Sequence, residues 1–103
     1  MSWPISSRPE AENDIAEAAA WYEERGSELA DAFIREVRAT YQAFSENPFL
    51  NSRKHPTKPI RWRRTHRFPY RVIYEVTEAE ARIVVIAVLH TARQNRAWQR
   101  RAK

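Results

Sequence analysis

Hydrophobic and polar residues follow two different periods along this chain. In the first half, apolar residues recur every three or four positions. Ala11, Ile15, Ala18 and Tyr22 fall on one face, with Glu12, Glu17 and Glu24 elsewhere. This spacing predicts a helix from Pro9 to about Arg25. Ser7 and Glu10 stand at capping-box spacing before it, and Pro9 is tolerated in a first turn. Gly26, the chain's one glycine, falls where a left-handed helix end needs it. Ser27 is placed to cap a second helix, about Glu28 to Glu46, with the stripe Leu29, Phe33, Val37, Tyr41 and Phe44. Asn47-Pro48 stops it. Only Arg25-Gly26-Ser27 lies between the two, which predicts an antiparallel helical hairpin.

In the second half the pattern changes. Phe49 to Lys58 reads as loop, broken by Asn51, Ser52, Pro56 and then Pro59. Ile60 and Trp62 then alternate with Arg61 and Arg63, predicting a strand with one apolar and one basic face. Tyr70-Arg71-Val72-Ile73-Tyr74-Glu75-Val76 is β-branched and aromatic, bounded by Pro69 and Thr77. Ile83 to Leu89 is a seven-residue apolar run, suited to a strand covered on both faces. These two form a hairpin around Glu78-Ala79-Glu80-Ala81. At the other end of the chain, Trp3-Pro4-Ile5-Ser6 reads as an edge strand, because Pro4 has no N–H for a ladder. The fold class is therefore α+β in a single domain spanning 1–103. An antiparallel sheet, in the order β-α-α-β-β-β, packs on an N-terminal helical hairpin. Asn95 to Lys103, with Arg96, Trp98, Arg100 and Arg101, forms a short basic C-terminal helix or tail.

Charge sharpens this picture. The net value is +5, but residues 1–50 hold four Lys/Arg against ten Asp/Glu, a balance of −6. Residues 51–103 hold fourteen against three, a balance of +11. A basic half of this density attracts an anionic partner, either nucleic acid or an acidic protein segment. Without cysteine there is no disulfide or thiolate chemistry. The three histidines lack paired metal-ligand spacing, so no metal is expected. A phosphate-cradling glycine loop is impossible with Gly26 alone, and no cofactor is expected. Met1 to Glu10 carries no signal-peptide core and no run approaches membrane-spanning length, so the expected location is the cytoplasm.

The layout, the Pro9-Glu10-Ala11-x-x-Asp14-Ile15 opening, the Tyr70–Val76 strand and the Val85-Ile86-Ala87-Val88-Leu89-His90-x-x-Arg93 strand end resemble the RelE/ParE superfamily. These are toxins of bacterial type II toxin–antitoxin pairs, often labelled plasmid stabilisation proteins. RelE-like members cleave mRNA in the ribosome, and ParE-like members poison DNA gyrase. The long helical hairpin and the apolar-His strand end resemble the ParE side. RelE-like nucleases place basic residues on the second and third strands, an arginine after the last strand and an aromatic hydroxyl in the tail. Arg61, Arg63 and Arg71 match the first feature. Thr91 stands near the expected arginine, with Arg93 two residues on, and the tail aromatic is Trp98, which has no hydroxyl.

The resemblance thus implies a gyrase inhibitor silenced by an antitoxin whose acidic C-terminal segment meets Arg61, Arg63, Arg64, Arg67, Arg93, Arg96 and Trp98. The alternative it implies is a metal-free mRNA interferase, with Arg61, Arg63, Arg71, His90 and Arg93 as the catalytic set. A third reading is a non-toxic relative that survives as a binding module. For RNA cleavage, a titratable base or acid and cations for the phosphorane are required. His90 is the best base or acid, set against a structural histidine bonded to nearby backbone. Arg71 is either a phosphate clamp or a structural partner of Glu75 or Asp14. Arg61, Arg63 and Arg64 around Trp62 form either a nucleic-acid strip or a solvated face beside a core tryptophan. His55 and His66 sit in loop and turn. Trp21 and Tyr22 are expected in core or hairpin contacts.

Overall fold

In the computed structural model, which describes residues 2–92 and 101, the elements are β1 (Ile5–Ser7), α1 (Pro9–Glu23), α2 (Ser27–Glu46), β2 (Ile60–Arg64), β3 (Tyr70–Thr77) and β4 (Arg82–His90). A short 3-10 turn, Glu78–Glu80, closes the β3–β4 hairpin, with Ala81 in the left-handed region. The sheet order is β1-β4-β3-β2. β2 and β4 each pair antiparallel with β3, as expected. β1 joins β4 parallel, pairing Ile5 with Ile83 and Ser7 with Val85, so the sheet is mixed. The helical hairpin and the other strands lie between β1 and β4 in the chain, and such a crossover connection is what parallel neighbours need.

Both helices lie close to their predicted spans, but their starts differ from expectation. Pro9 opens α1 behind Arg8, and no side chain caps it. Ser7 Oγ is instead 2.8 Å from the Tyr41 hydroxyl on α2, fastening β1 across the helix layer. Gly26 closes one helix and opens the next. Its N–H reaches the carbonyls of Tyr22 (3.0 Å) and Glu23 (3.2 Å), and its own carbonyl accepts from Leu29 (3.0 Å). At φ +155° it holds a conformation that L side chains rarely adopt, leaving Ser27 as the first helical residue of α2 rather than its cap.

Two buried clusters flank the sheet. On the helix side, Ala11, Ala18 and Tyr22 of α1 and Phe33, Val37 and Phe44 of α2 pack on Val72, Tyr74, Val76, Ile83, Val85 and Val88. Phe44 and Tyr74 stack at 3.8 Å between centroids. The Tyr74 hydroxyl donates to the Pro48 carbonyl at 3.0 Å, which ties down the loop after α2. On the distal side a smaller cluster holds Ile60, Ile73, Ile86, Ala87 and Leu89, with Trp62 and Val84 packed against it. Each fully buried Ile or Phe contributes on the order of 2 kcal/mol. Ile86 and Ala87 are neighbours in sequence yet share this face. Ile73 pairs with Ala87 and Tyr74 with Val85, so Ile86 is the extra residue of a β-bulge.

Candidate functional site

β4 outlasts its neighbour. The Arg8 N–H donates to the Val85 carbonyl at 2.9 Å, and there the chain leaves the sheet for α1. Beyond that point α1 supplies the partner: the Val88 N–H donates to Asp14 Oδ2 at 3.0 Å. Arg101 completes the seal. Its guanidinium meets Asp14 Oδ2 at 2.7 Å and Oδ1 at 3.3 Å, and the Ile86 carbonyl at 3.3 Å. Asp14 therefore pairs with Arg101 and not with Arg71. The signal for this was a carboxylate on the α1 stripe, between Ala11 and Ala18; nothing in the sequence pointed to Arg101.

Past this seal lies a hollow of about 570 Å³ between α1 and the end of β4. Asp14 and Glu17 stand on its α1 side, Trp21, Tyr22 and Tyr70 form aromatic walls, and Val88 to His90 lie along the strand. Trp21, expected in core or hairpin contacts, is 50% exposed with the Arg25 guanidinium over its ring at 3.3 Å. His90 lines this hollow. Its Nδ1 accepts the Ala92 N–H at 3.0 Å, which leaves Nε2 as the nitrogen available to a ligand, and its ring sits edge-on to Tyr70 at 5.4 Å.

The predicted basic set divides between the two sides of the sheet. Cross-strand partners share a face. Arg61 pairs with Tyr74 and Arg63 with Val72, both in the helix-side cluster. Trp62 pairs with Ile73 and Arg64 with Arg71, on the distal side. The apolar face of β2 is thus the distal one, and its basic face looks toward the helix layer. Arg61 is committed to the fold: Nη1 donates to the Asn51 carbonyl and the guanidinium lies 5.2 Å from the Phe49 ring. Arg71 reaches the Thr91 carbonyl at 3.4 Å and stacks 5.1 Å from Trp62, which also has Lys54 at 5.6 Å. Glu75 forms no ion pair with Arg71 among the described residues. Trp62 is half-buried on this distal side. Arg67 is exposed in the turn before β3, with its guanidinium 5.4 Å from the Phe68 ring. His66 is exposed in the same turn, and His55 Nδ1 accepts loop N–H groups from Thr57 and Lys58. Arg93, Arg96 and Trp98 lie outside the described residues.

Burial raises the Tyr41 hydroxyl to about 12, opposed by its bond to Ser7, with Glu12 and Asp14 adding to the rise. Tyr22 and Tyr74 are also raised, chiefly by burial. None is poised for acid–base work near neutrality. Among the described residues no three potential metal ligands come together, and no helix is long and apolar enough to cross a membrane.

The family described as "ParE toxin of type II toxin-antitoxin system, parDE" matches residues 5–95. The chain belongs to this ParE toxin family. ParE-family membership makes it a toxin of a type II toxin–antitoxin system. No curated protein matches the sequence. Among solved structures, a chain of the chromosomal ParDE system of P. aeruginosa is similar, with a TM-score of 0.73 at 13% identity, covering 86% of this chain and 96% of that one. A mutant of the E. coli toxin RelE in the free state superposes with a TM-score of 0.67 at 16% identity, covering 99% and 96%. A chain of the M. tuberculosis RelBE2 toxin–antitoxin complex gives 0.60 at 16%, covering 90% and 95%. At such identities the likeness is one of fold, and this ParE-family chain shares that fold with RelE.

Proposed function

We propose that this ParE-family toxin acts by protein–protein binding to DNA gyrase in the bacterial cytoplasm, stabilises the replicon that carries it, and is silenced by a cognate antitoxin with an acidic C-terminal segment. The observation that carries this reading is the dispersal of the nuclease candidates. His90 faces the hollow on the α1 side, Arg71 lies on the distal face beside Trp62, and Arg61 is bound into the loop after α2. General acid–base cleavage needs its proton carrier and its phosphate cations around one reacting atom, within hydrogen-bond reach. A sheet that separates them favours binding over catalysis. The surface offered to gyrase is the helical hairpin, with exposed Trp21; the basic tail, outside the described residues, is the second region to test.

A second reading, an mRNA interferase dependent on the ribosome, is favoured by one feature. Arg71 and Lys54 flank Trp62 on the distal face, an arrangement of cations and a ring that suits a stacked base and its phosphate.

Two assays with the purified chain separate these readings. In the first, it is added to gyrase supercoiling reactions; in the second, to translating ribosomes with a defined message. Inhibited supercoiling with intact message is the expected result. Codon-proximal cuts that vanish in Arg71→Ala would replace it with the interferase. Inactivity in both, with normal growth on induction, would mark a non-toxic binding module.

A further inference from the structure

The turn after β2 leaves polar side chains unused. Arg63, Arg64 and His66 border a second hollow, about 180 Å³, against the middle of α2. Its remaining lining is Glu36, Thr40 and the two alanines Ala39 and Ala43. Arg64, the last residue of β2, reaches this hollow around the strand end. Among the described residues none of the side chains of Arg63, Arg64 and His66 makes a hydrogen bond, ion pair or ring contact within the chain. The nearest carboxylate, Glu36, is otherwise engaged: one of its oxygens accepts the Arg67 backbone N–H. Thr40 is likewise turned inward, donating to the Glu36 carbonyl at 2.9 Å. Folding has therefore gathered two arginines and a histidine around a small recess whose one carboxylate, Glu36, is held at the Arg67 N–H.

We infer that this hollow seats one carboxylate side chain of the antitoxin, carried between small or apolar neighbours; the inference rests on the toxin–antitoxin reading above. Size limits the guest to a single small anionic group. The alanine floor is apolar surface that a protein segment covers and a sugar–phosphate chain leaves wet. Repulsion from Glu36 on the rim grows with each added charge, so it weighs more against a continuous polyanion than against one carboxylate. A guanidinium meets a carboxylate through paired N–H donors, and that geometry fixes the register of the incoming segment.

The test titrates the cognate antitoxin against the full-length toxin at low and high salt. The double variant Arg63→Ala/His66→Ala binds about tenfold more weakly at low salt and shows a shallower salt dependence. Ala39→Glu, which places a competing carboxylate on the floor, weakens binding to a similar extent. Arg82→Ala, which removes a cation already paired with Glu80 at 2.8 Å in the β3–β4 hairpin, stays within about twofold of wild type. Melting of the free toxin is unchanged in all three, because none of these side chains is packed in the core. Unchanged antitoxin affinity in the double variant overturns the site. Intact antitoxin binding with lost binding to a single-stranded RNA oligonucleotide overturns it in favour of a phosphate guest. Failure of the wild-type chain to bind the antitoxin at all overturns both the site and the reading beneath it.

Discussion

Replacing Asp14 by alanine removes three interactions at once. The carboxylate accepts the Val88 N–H at 3.0 Å and two guanidinium contacts from Arg101 at 2.7 and 3.3 Å. The side chains are 8% and 21% exposed, so neither partner is well supplied with water when the other is lost. Breaking one side of a buried ion pair costs about 3–5 kcal/mol. Arg101 is at the better-hydrated end of that class and swings partly into solvent, so the lower bound, about 3 kcal/mol, applies. In a domain of this size each kcal/mol shifts the thermal midpoint by about 4–8 °C, which gives a fall of about 12–24 °C. Asp14→Asn keeps an oxygen for the Val88 N–H and loses only the ionic part, about 1–2 kcal/mol. Urea unfolding followed by circular dichroism and tryptophan fluorescence measures these values. Combining Asp14→Asn with Arg101→Ala closes a double-mutant cycle, and the expected coupling is about 1–2 kcal/mol. A loss under about 1 kcal/mol for Asp14→Ala, or additive effects in the cycle, would refute the view that this pair closes the edge of β4.

Two further outcomes follow from the same geometry. Burial raises the folded Tyr41 pKa from the ordinary 10.0 to about 12, so its contribution to stability is intact below pH 10 and disappears as pH climbs through 12. Tyr41→Phe should flatten that alkaline limb only in part, since Tyr22 and Tyr74 are raised as well, and tyrosinate absorbance during alkaline titration reports it. Gly26→Ala forces a side chain into φ +155° and sets its Cβ 2.6 Å from Glu28 Oε1. The carboxylate can move aside but the backbone cannot, so the cost is about 1–2 kcal/mol in urea unfolding, and a neutral substitution would count against the double role of this residue.

The helical hairpin was readable because its signals were local: a 3.6-residue stripe, one glycine between the helices and Asn47-Pro48 after them. β3 and β4 were readable from composition. What escaped were relations between distant segments. A three-residue β1 carries no mark of direction, so its parallel pairing with β4 was not foreseen. Ser7 looked like a helix cap by spacing, yet its hydroxyl is taken by Tyr41, thirty-four residues away. Alternation in β2 correctly grouped Ile60 with Trp62 and Arg61 with Arg63. It could not say which pair would meet the helices, because both sides of this sheet hold an apolar cluster. Hence the arginines proposed as one clamp are split between faces. The Asp14–Arg101 pair was missed for the same reason: its members are eighty-seven residues apart.

The additional residue in β4 has a consequence for what the strand end presents. Ile83 and Val85 look toward the helices, and unbroken alternation from there would point Leu89 the same way and send His90 to the opposite side. Ile86 resets that parity. Leu89 is turned into the distal cluster and His90 opens onto the recess beside α1. Were the bulge straightened with every residue kept, the strand end would slide by one position and offer leucine where histidine now stands, whereas deleting Ile86 would leave both side chains on their present sides. Whichever partner reads this end of the molecule therefore depends on an irregularity in the ladder four positions upstream, inside the strand and out of the partner's reach.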